Sequence, residues 1–369
     1  MLPFLLAGLI ATDTLLGAGR DSVPRPRPAA DTAVRVTVGA FVDGYYAWDT
    51  GRPRAFDRAY TTQPARHNEF NVNLAFVEAT LRGERIRGRV ALQAGTSVQS
   101  NYAAEPRVGT VSGGDLSRSV QEATVGVRVH PRLWVDGGVY FSYIGLESWI
   151  SRDNPTYTRS LIADYTPYYL SGVKLTWQVA PQLVAQAHVL NGWQNMSESN
   201  TDKAFGTRLE WRPHPTLSIG WGTFVGNQQP DSVPARPRLF NQVTARWLPA
   251  GWDLSATLDL GRQRRASSGS DHWTGSALVV RRAVSGSTAV VARVEHLFDR
   301  GQALVVTGTP DGFRTTGASL GFDKTLDQRV LWRTEARAFR SGDAVWPRGG
   351  RAAADRRSAL LVTSLALTL

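Results

Sequence analysis

Apolar and polar positions alternate with a period of two along nearly the whole chain. Val34, Val36, Val38, Ala40 and Val42 alternate with Arg35, Thr37, Gly39, Phe41 and Asp43, and Trp252, Leu254, Ala256, Leu258 and Leu260 alternate with Asp253, Ser255, Thr257, Asp259 and Gly261. Successive side chains of a strand point to opposite faces, so each such run predicts a strand with one apolar face and one polar or glycine-bearing face. The pattern predicts sixteen strands, the first eight at roughly 34–48, 68–82, 86–98, 119–130, 133–143, 167–179, 182–192 and 203–212. The second eight fall at roughly 216–227, 238–248, 252–262, 272–284, 288–298, 314–324, 328–340 and 358–369. Seven short connections alternate with eight long ones, which puts both ends of the strand array on the short-turn side. Residues 70–81 change phase between Phe76 and Val77, which predicts a bulge near Glu78. Residues 273–284 are apolar in both phases and leave their two faces undistinguished.

An even count of antiparallel strands with alternating short and long connections is the layout of a bacterial transmembrane barrel, short turns in the periplasm and long loops outside. The expected fold class is therefore all-β, an antiparallel up-and-down β-barrel of about sixteen strands. Tryptophan supplies an independent check. Trp177, Trp211, Trp247, Trp252 and Trp332 all fall beside short turns in the apolar phase, where an interfacial aromatic girdle belongs. A soluble sheet of this size would need helices or a second layer to cover its apolar face, and no helical stretch of useful length is legible. The last strand runs to Leu369, with Leu361, Thr363, Leu365, Leu367 and Leu369 on one face. Such barrels more often end in an aromatic residue.

At the other end, Leu2 to Ala11 has the length of a signal-peptide apolar core and is too short to span a bilayer as a helix. Residues 1–19 are expected to be a signal peptide, 20–32 (RDSVPRPRPAADT) a Pro-rich linker, and 33–369 a single transmembrane barrel domain. The expected location is the outer membrane of a Gram-negative bacterium. The chain has no cysteine, which excludes disulfides and cysteine chemistry, and its 42 basic residues against 31 acidic ones leave +11, almost all of the excess carried by arginine.

If the apolar face meets lipid, the other face lines a lumen. Phase counting puts Arg87, Arg89, Lys174, Arg208, Glu210, Arg246, Arg293, Glu295, Arg333, Glu335 and Arg337 there. Guanidinium groups stay charged at any physiological pH, and walls of fixed charge order water and select ions. The same Arg and Glu residues could instead brace neighbouring strands. The arginine excess predicts a mild anion preference. The longest connection, Ile144 to Thr166, carries opposed charges; it is expected to fold inward and narrow the pore, with Glu147, Arg152, Asp153 and Arg159 at the constriction.

These residues also carry a family resemblance. Gly138-x-Tyr140, Ile144-Gly145-x-Glu147, Asn154-x-x-Tyr157-x-Arg159-Ser160, Gly172 and Asn191-Gly192-Trp193 form its central block. Tyr45-Tyr46, Arg293-x-Glu295 with Asp299, and Arg333-x-Glu335-x-Arg337 extend it from about residue 38 to the C-terminus. On these motifs the chain resembles the β-barrel porin-2 (OmpL-like) family of bacterial outer-membrane proteins. The resemblance implies an outer-membrane barrel acting as a porin.

Rival functions find less support in the residues. A barrel enzyme such as a phospholipase would need a serine–histidine pair on the lipid-facing rim. Of the six histidines, only His296, close to Asp299, suggests such a site, and no serine completes it. Helical zinc-site spacing is missing, so no metal is expected, and a passive barrel needs no cofactor. The arginines are spread without an aromatic platform, which argues against nucleic acid. The expected function is a porin-like channel for passive diffusion of ions and small hydrophilic solutes. The alternative is a non-conducting structural or adhesive barrel. Expected partners are outer-membrane lipid, the barrel-assembly machinery and the solutes themselves; a homo-oligomer is left open.

Overall fold

A computed structural model describes residues 34–112 and 117–369. The expected signal peptide and linker lie outside the described residues. Sixteen strands close into one antiparallel barrel: β1 (Arg35–Asp49), β2 (Phe70–Arg82), β3 (Ile86–Ala94), β4 (Val120–His130), β5 (Leu133–Phe141), β6 (Tyr169–Ala180), β7 (Leu183–Leu190) and β8 (Ala204–His214). The second half comprises β9 (Leu217–Asn227), β10 (Pro237–Trp247), β11 (Trp252–Arg264), β12 (Ser270–Ser285), β13 (Thr288–Asp299), β14 (Phe313–Asp327), β15 (Val330–Ser341) and β18 (Arg357–Thr368). A small hairpin, β16 (Trp346–Arg348) with β17 (Arg351–Asp355), sits in the last long connection. Each strand pairs with its sequence neighbour, and β18 closes on β1 with Tyr45 opposite Ser364. Closure leaves no free sheet edge, which is what a bilayer demands of a spanning sheet.

The strand phases fall as the alternation predicts. Val36, Val38 and Val42 of β1 point outward and are exposed, while Phe41, Asp43 and Tyr45 point into the lumen and are buried. The five girdle tryptophans all face outward, between 41 and 51% exposed. An apolar outer belt that includes Val77, Val125 and Leu320 would be untenable in water; in hydrocarbon it is the required surface.

Two local expectations need correction, and one open phase is settled. The bulge in β2 is at Asn73, not Glu78: Asp43 pairs with Leu74 and Gly44 with Val72, so Asn73 is the extra residue. Its amide donates to Asp43 Oδ2 at 2.9 Å, which gives the displaced side chain a buried partner. The third strand ends at Ala94 instead of 98. Gly95 turns the chain at φ 137°, a backbone conformation open mainly to glycine, and a six-residue helix α1 (Thr96–Asn101) follows. The ambiguous stretch 273–284 has Trp273, Gly275, Ala277 and Val279 inward. Its inner face is apolar because a loop, not water, covers it.

Candidate functional site

The loop between β5 and β6 does fold inward, and its path follows from the topology. β5 and β13 stand eight strands apart in the sixteen-strand ring, so they are diametrically opposite. The loop leaves β5, crosses the lumen and locks onto β13 and β15. Two glycines in its root strands hold conformations that other residues rarely adopt. Gly138 and Gly172 face each other across β5 and β6 at φ 128° and 156°. A Cβ at either would lie 2.0 Å from a neighbouring backbone carbonyl oxygen.

Charged side chains of the far wall hold the loop by its backbone. Glu335 accepts from Thr158 N at 2.7 Å and Thr158 Oγ1 at 2.9 Å. Arg293 donates to Thr158 O at 2.6 Å, to Thr156 Oγ1 at 2.9 Å and to Glu335 at 3.0 Å. Glu295 accepts from Leu161 N at 2.6 Å and is gripped from the side by Arg337 through two bonds of 2.9 and 2.8 Å. Arg333 donates to Ser151 O and Pro155 O, both at 2.6 Å, and pairs with Asp323 at 2.9 Å. Bidentate guanidinium–carboxylate geometry of this kind is among the stronger polar contacts available in a protein interior.

Apolar contacts complete the lock. The short helix α2 (Leu161–Asp164), capped by Ser160, seats Leu161 and Ile162 against Ala277, Leu297, Phe313 and Phe339. Gly275 leaves the room for Ile162, whose Cγ2 would lie 2.2 Å from a Cβ there. Inside the loop, Glu147 accepts from Ser160 N at 3.0 Å and from its hydroxyl, and Arg159 lies 3.5 Å over the Tyr168 ring. On the long-loop side, Trp193 packs edge-on to Phe224 and Phe240, and Trp346 stacks on Phe339.

Below the loop, toward the short turns, lies a cavity of about 910 Å³. Its roof includes Ile150, Arg152, Asp153 and Pro155 of the loop, and its floor reaches Gly83, Pro181 and Gln328. Arg87, Arg89, Lys174, Arg208, Glu210 and Arg246 line it. Arg293, Glu295, Arg333, Glu335 and Arg337 also face the lumen, but the loop covers them, and none is more than 3% exposed. The wall expected to meet water as one surface is thus divided into a wet part and a latch. Of the four loop residues singled out by charge, Arg152 and Asp153 face the cavity, while Glu147 and Arg159 brace the loop from within. Sequence reasoning missed Asp43, which accepts from Ser151 Oγ at 2.7 Å, and Gln242, which holds Gly145 N at 2.5 Å. Their lumen-facing phase was the signal available for finding them. His296 bonds outward to Thr316 at 2.8 Å, whereas Asp299 points inward and binds three backbone amides of the following connection, so the two do not form a pair.

Residues 35–369 match the model of the family described as "Putative beta-barrel porin-2, OmpL-like". The chain belongs to this family. It is an integral outer-membrane barrel of the porin type, a channel for passive diffusion. No curated protein matches it by sequence. Among solved structures, the anion-selective porin from Comamonas acidovorans superposes with a TM-score of 0.59 at 13% identity, covering 91% of this chain and 100% of that one. The outer membrane channel DcaP of Acinetobacter baumannii gives 0.58 at 10% identity over 92% of this chain and 99% of that one. OmpF of Salmonella typhi, in complex with daunomycin, gives 0.57 at 10% over 90% and 97%. At such identities the likeness is one of fold. The porin's motif residues map onto the loop and its latch: Glu147, Asn154, Tyr157, Arg159 and Ser160 build the loop, and Arg293, Glu295, Arg333, Glu335 and Arg337 receive it.

Proposed function

We propose that ions and small hydrophilic solutes reach the loop through the charged cavity, with the short turns in the periplasm, and that the lumen prefers anions mildly. The observation that carries the preference is the pairing on the cavity wall. Ten basic residues line it against eight acidic ones. Arg87, Arg89, Arg212, Arg246 and Arg281 each hold a carboxylate. Among the described residues, Arg82, Arg152, Lys174, Arg208 and Arg329 line it without an ion pair, against Asp153 and Asp327. Fixed charge left uncompensated sets the sign of a pore's selectivity. Single-channel recording of the refolded protein in a planar bilayer under a salt gradient tests this. Discrete steps with an anion-leaning reversal potential are expected. Silence from a correctly folded, heat-modifiable barrel would move the reading to a structural or adhesive barrel.

The preference should depend on pH. Burial in the cavity roof pushes the Asp153 carboxyl up to about 6. Lowering the pH through that value protonates it and removes one negative charge from the cavity, so anion preference rises in acid. In Asp153→Asn the charge is already gone: the variant should show at neutral pH the preference the wild type reaches only in acid. The difference between the two proteins separates this effect from His188, which lines the same cavity. Identical pH profiles in the two would refute the assignment.

The barrel's outer face supports the proposed partners. Lipid meets the apolar belt, and the assembly machinery would meet β18 and its partner β1. Ala318, Ala338 and Ala359 lie side by side in register across β14, β15 and β18, a flat outward patch on which a second copy could pack.

A further inference from the structure

Arg208 stands apart from the other arginines of the cavity wall. It is 8% exposed, yet no carboxylate lies within ion-pair distance among the described residues. The other cavity arginines without a carboxylate, Arg82, Arg152 and Arg329, are exposed to solvent. Glu210, two residues along on the same face, is committed to Arg212 by bonds of 2.8 and 2.5 Å. Arg208 Nη2 donates to Thr244 Oγ1 at 3.1 Å, and its Nη1 has no partner. A desolvated cation with an idle donor is costly unless something negative completes it.

The wall around Arg208 is shaped for that. A Cβ at Gly220 would fall 2.1 Å from Nη2, so the guanidinium lies flat where a side chain would otherwise stand. Gly222 leaves 3.8 Å of clearance to Nη1, and a Cβ at Gly206 would strike the Tyr143 hydroxyl at 1.9 Å. Glycine at 220 and 206 gives room to the guanidinium and to the Tyr143 ring, and glycine at 222 leaves the wall beside Nη1 without a side chain. Gln186 sits directly opposite it in register, and Lys174, opposite His188 one strand further on, lies with its ammonium 5.0 Å from the Tyr140 ring and without an ion pair. All of these side chains line the same cavity.

We propose that Arg208, with Lys174 and Gln186, forms a binding site for a small oxyanion, a phosphate or carboxylate group, on the lumen wall. The site deepens the anion reading of the channel and rests on it for its role in permeation. A guanidinium fork offers two parallel donors matched to such a group, the amide adds a neutral donor, and the ammonium adds charge without directional demand.

Calorimetric titration of the full-length protein in detergent with inorganic phosphate, and separately with acetate, tests the site without requiring conduction. Saturable binding is expected, with about ten-fold weaker affinity in Arg208→Gln and a smaller loss in Lys174→Gln. Arg208→Lys, which keeps the charge and loses the fork, should recover only part. Arg300→Gln, which removes the same charge from an exposed site outside the cavity, should bind as wild type does. Tighter binding of one probe identifies which oxyanion chemistry the site takes. No saturable binding of either probe to the folded wild type, or equal binding by Arg208→Gln, would overturn the site. Saturable, Arg208-dependent binding in a protein that passes no current would uphold the site and reject the channel reading instead.

Discussion

Removing the inward loop should raise single-channel conductance several-fold. The loop crosses the full width of the lumen to reach β13 and β15, and its residues Ile150 to Pro155 roof the cavity. Conductance of an electrolyte-filled pore follows its narrowest cross-section, and here the loop narrows that cross-section. A chain in which residues 148–164 are replaced by a short Gly-Ser bridge keeps every barrel strand and its pairing, since β5 ends at Phe141 and β6 begins at Tyr169. Planar-bilayer recording of that variant beside the full chain gives the comparison. Conductance unchanged in a heat-modifiable, folded variant would mean that the loop does not limit the path.

The same variant should change what the latch residues do. In the intact chain Arg333 and Arg337 are buried against loop and carboxylates, so neutralising both acts on the loop before it acts on ions. With the loop gone they face water and become the charged wall that strand phase alone predicts. Replacing both by glutamine should then shift the reversal potential toward cations directly. If that pair of substitutions leaves the shortened channel's selectivity unchanged, the two arginines do not contribute to selection in either form.

Much of this was legible in the sequence, and the limits have a physical origin. A barrel strand divides two environments, lipid and lumen, and its alternation reports which side each residue faces. Strands such as β1 and β11 therefore read cleanly, and the girdle tryptophan Trp252 confirmed the phase of β11. Alternation does not report what lies against the inner face. Arg293 and Arg208 read alike, both cations in the lumen phase, yet one is covered by the loop and the other borders the cavity. The ambiguity of β12 was in fact the mark of the loop: Ala277 is apolar and inward because Leu161 and Ile162 pack near it. Trp193 and Trp346 show the same limit. They belong to connections that turn into the barrel, and no period-two pattern speaks for a connection.

The latch itself should be the most sensitive point in the molecule. Arg293, Glu295, Glu335 and Arg337 are almost wholly desolvated, and their charges cancel only as a group. Replacing Arg293 with Met leaves Glu335 without its cation, strips Thr156 Oγ1 of its donor and leaves Thr158 O with only the Thr156 hydroxyl. Breaking one side of a buried pair typically costs about 3–5 kcal/mol, because the surviving charge stays buried. The variant should unfold at markedly lower urea in micelles, and amide exchange should quicken first at Thr158 and Leu161, whose N–H groups the wall carboxylates hold. Arg293→Met combined with Glu335→Leu removes both charges and offers an apolar surface instead, so it should regain most of the lost stability. It should not regain slow exchange at Thr158, because that amide's acceptor is gone. This split distinguishes a latch from a simple strand brace. A brace would lose stability without exposing the loop, and wild-type exchange at Thr158 in the single variant would show that the loop is held by other means.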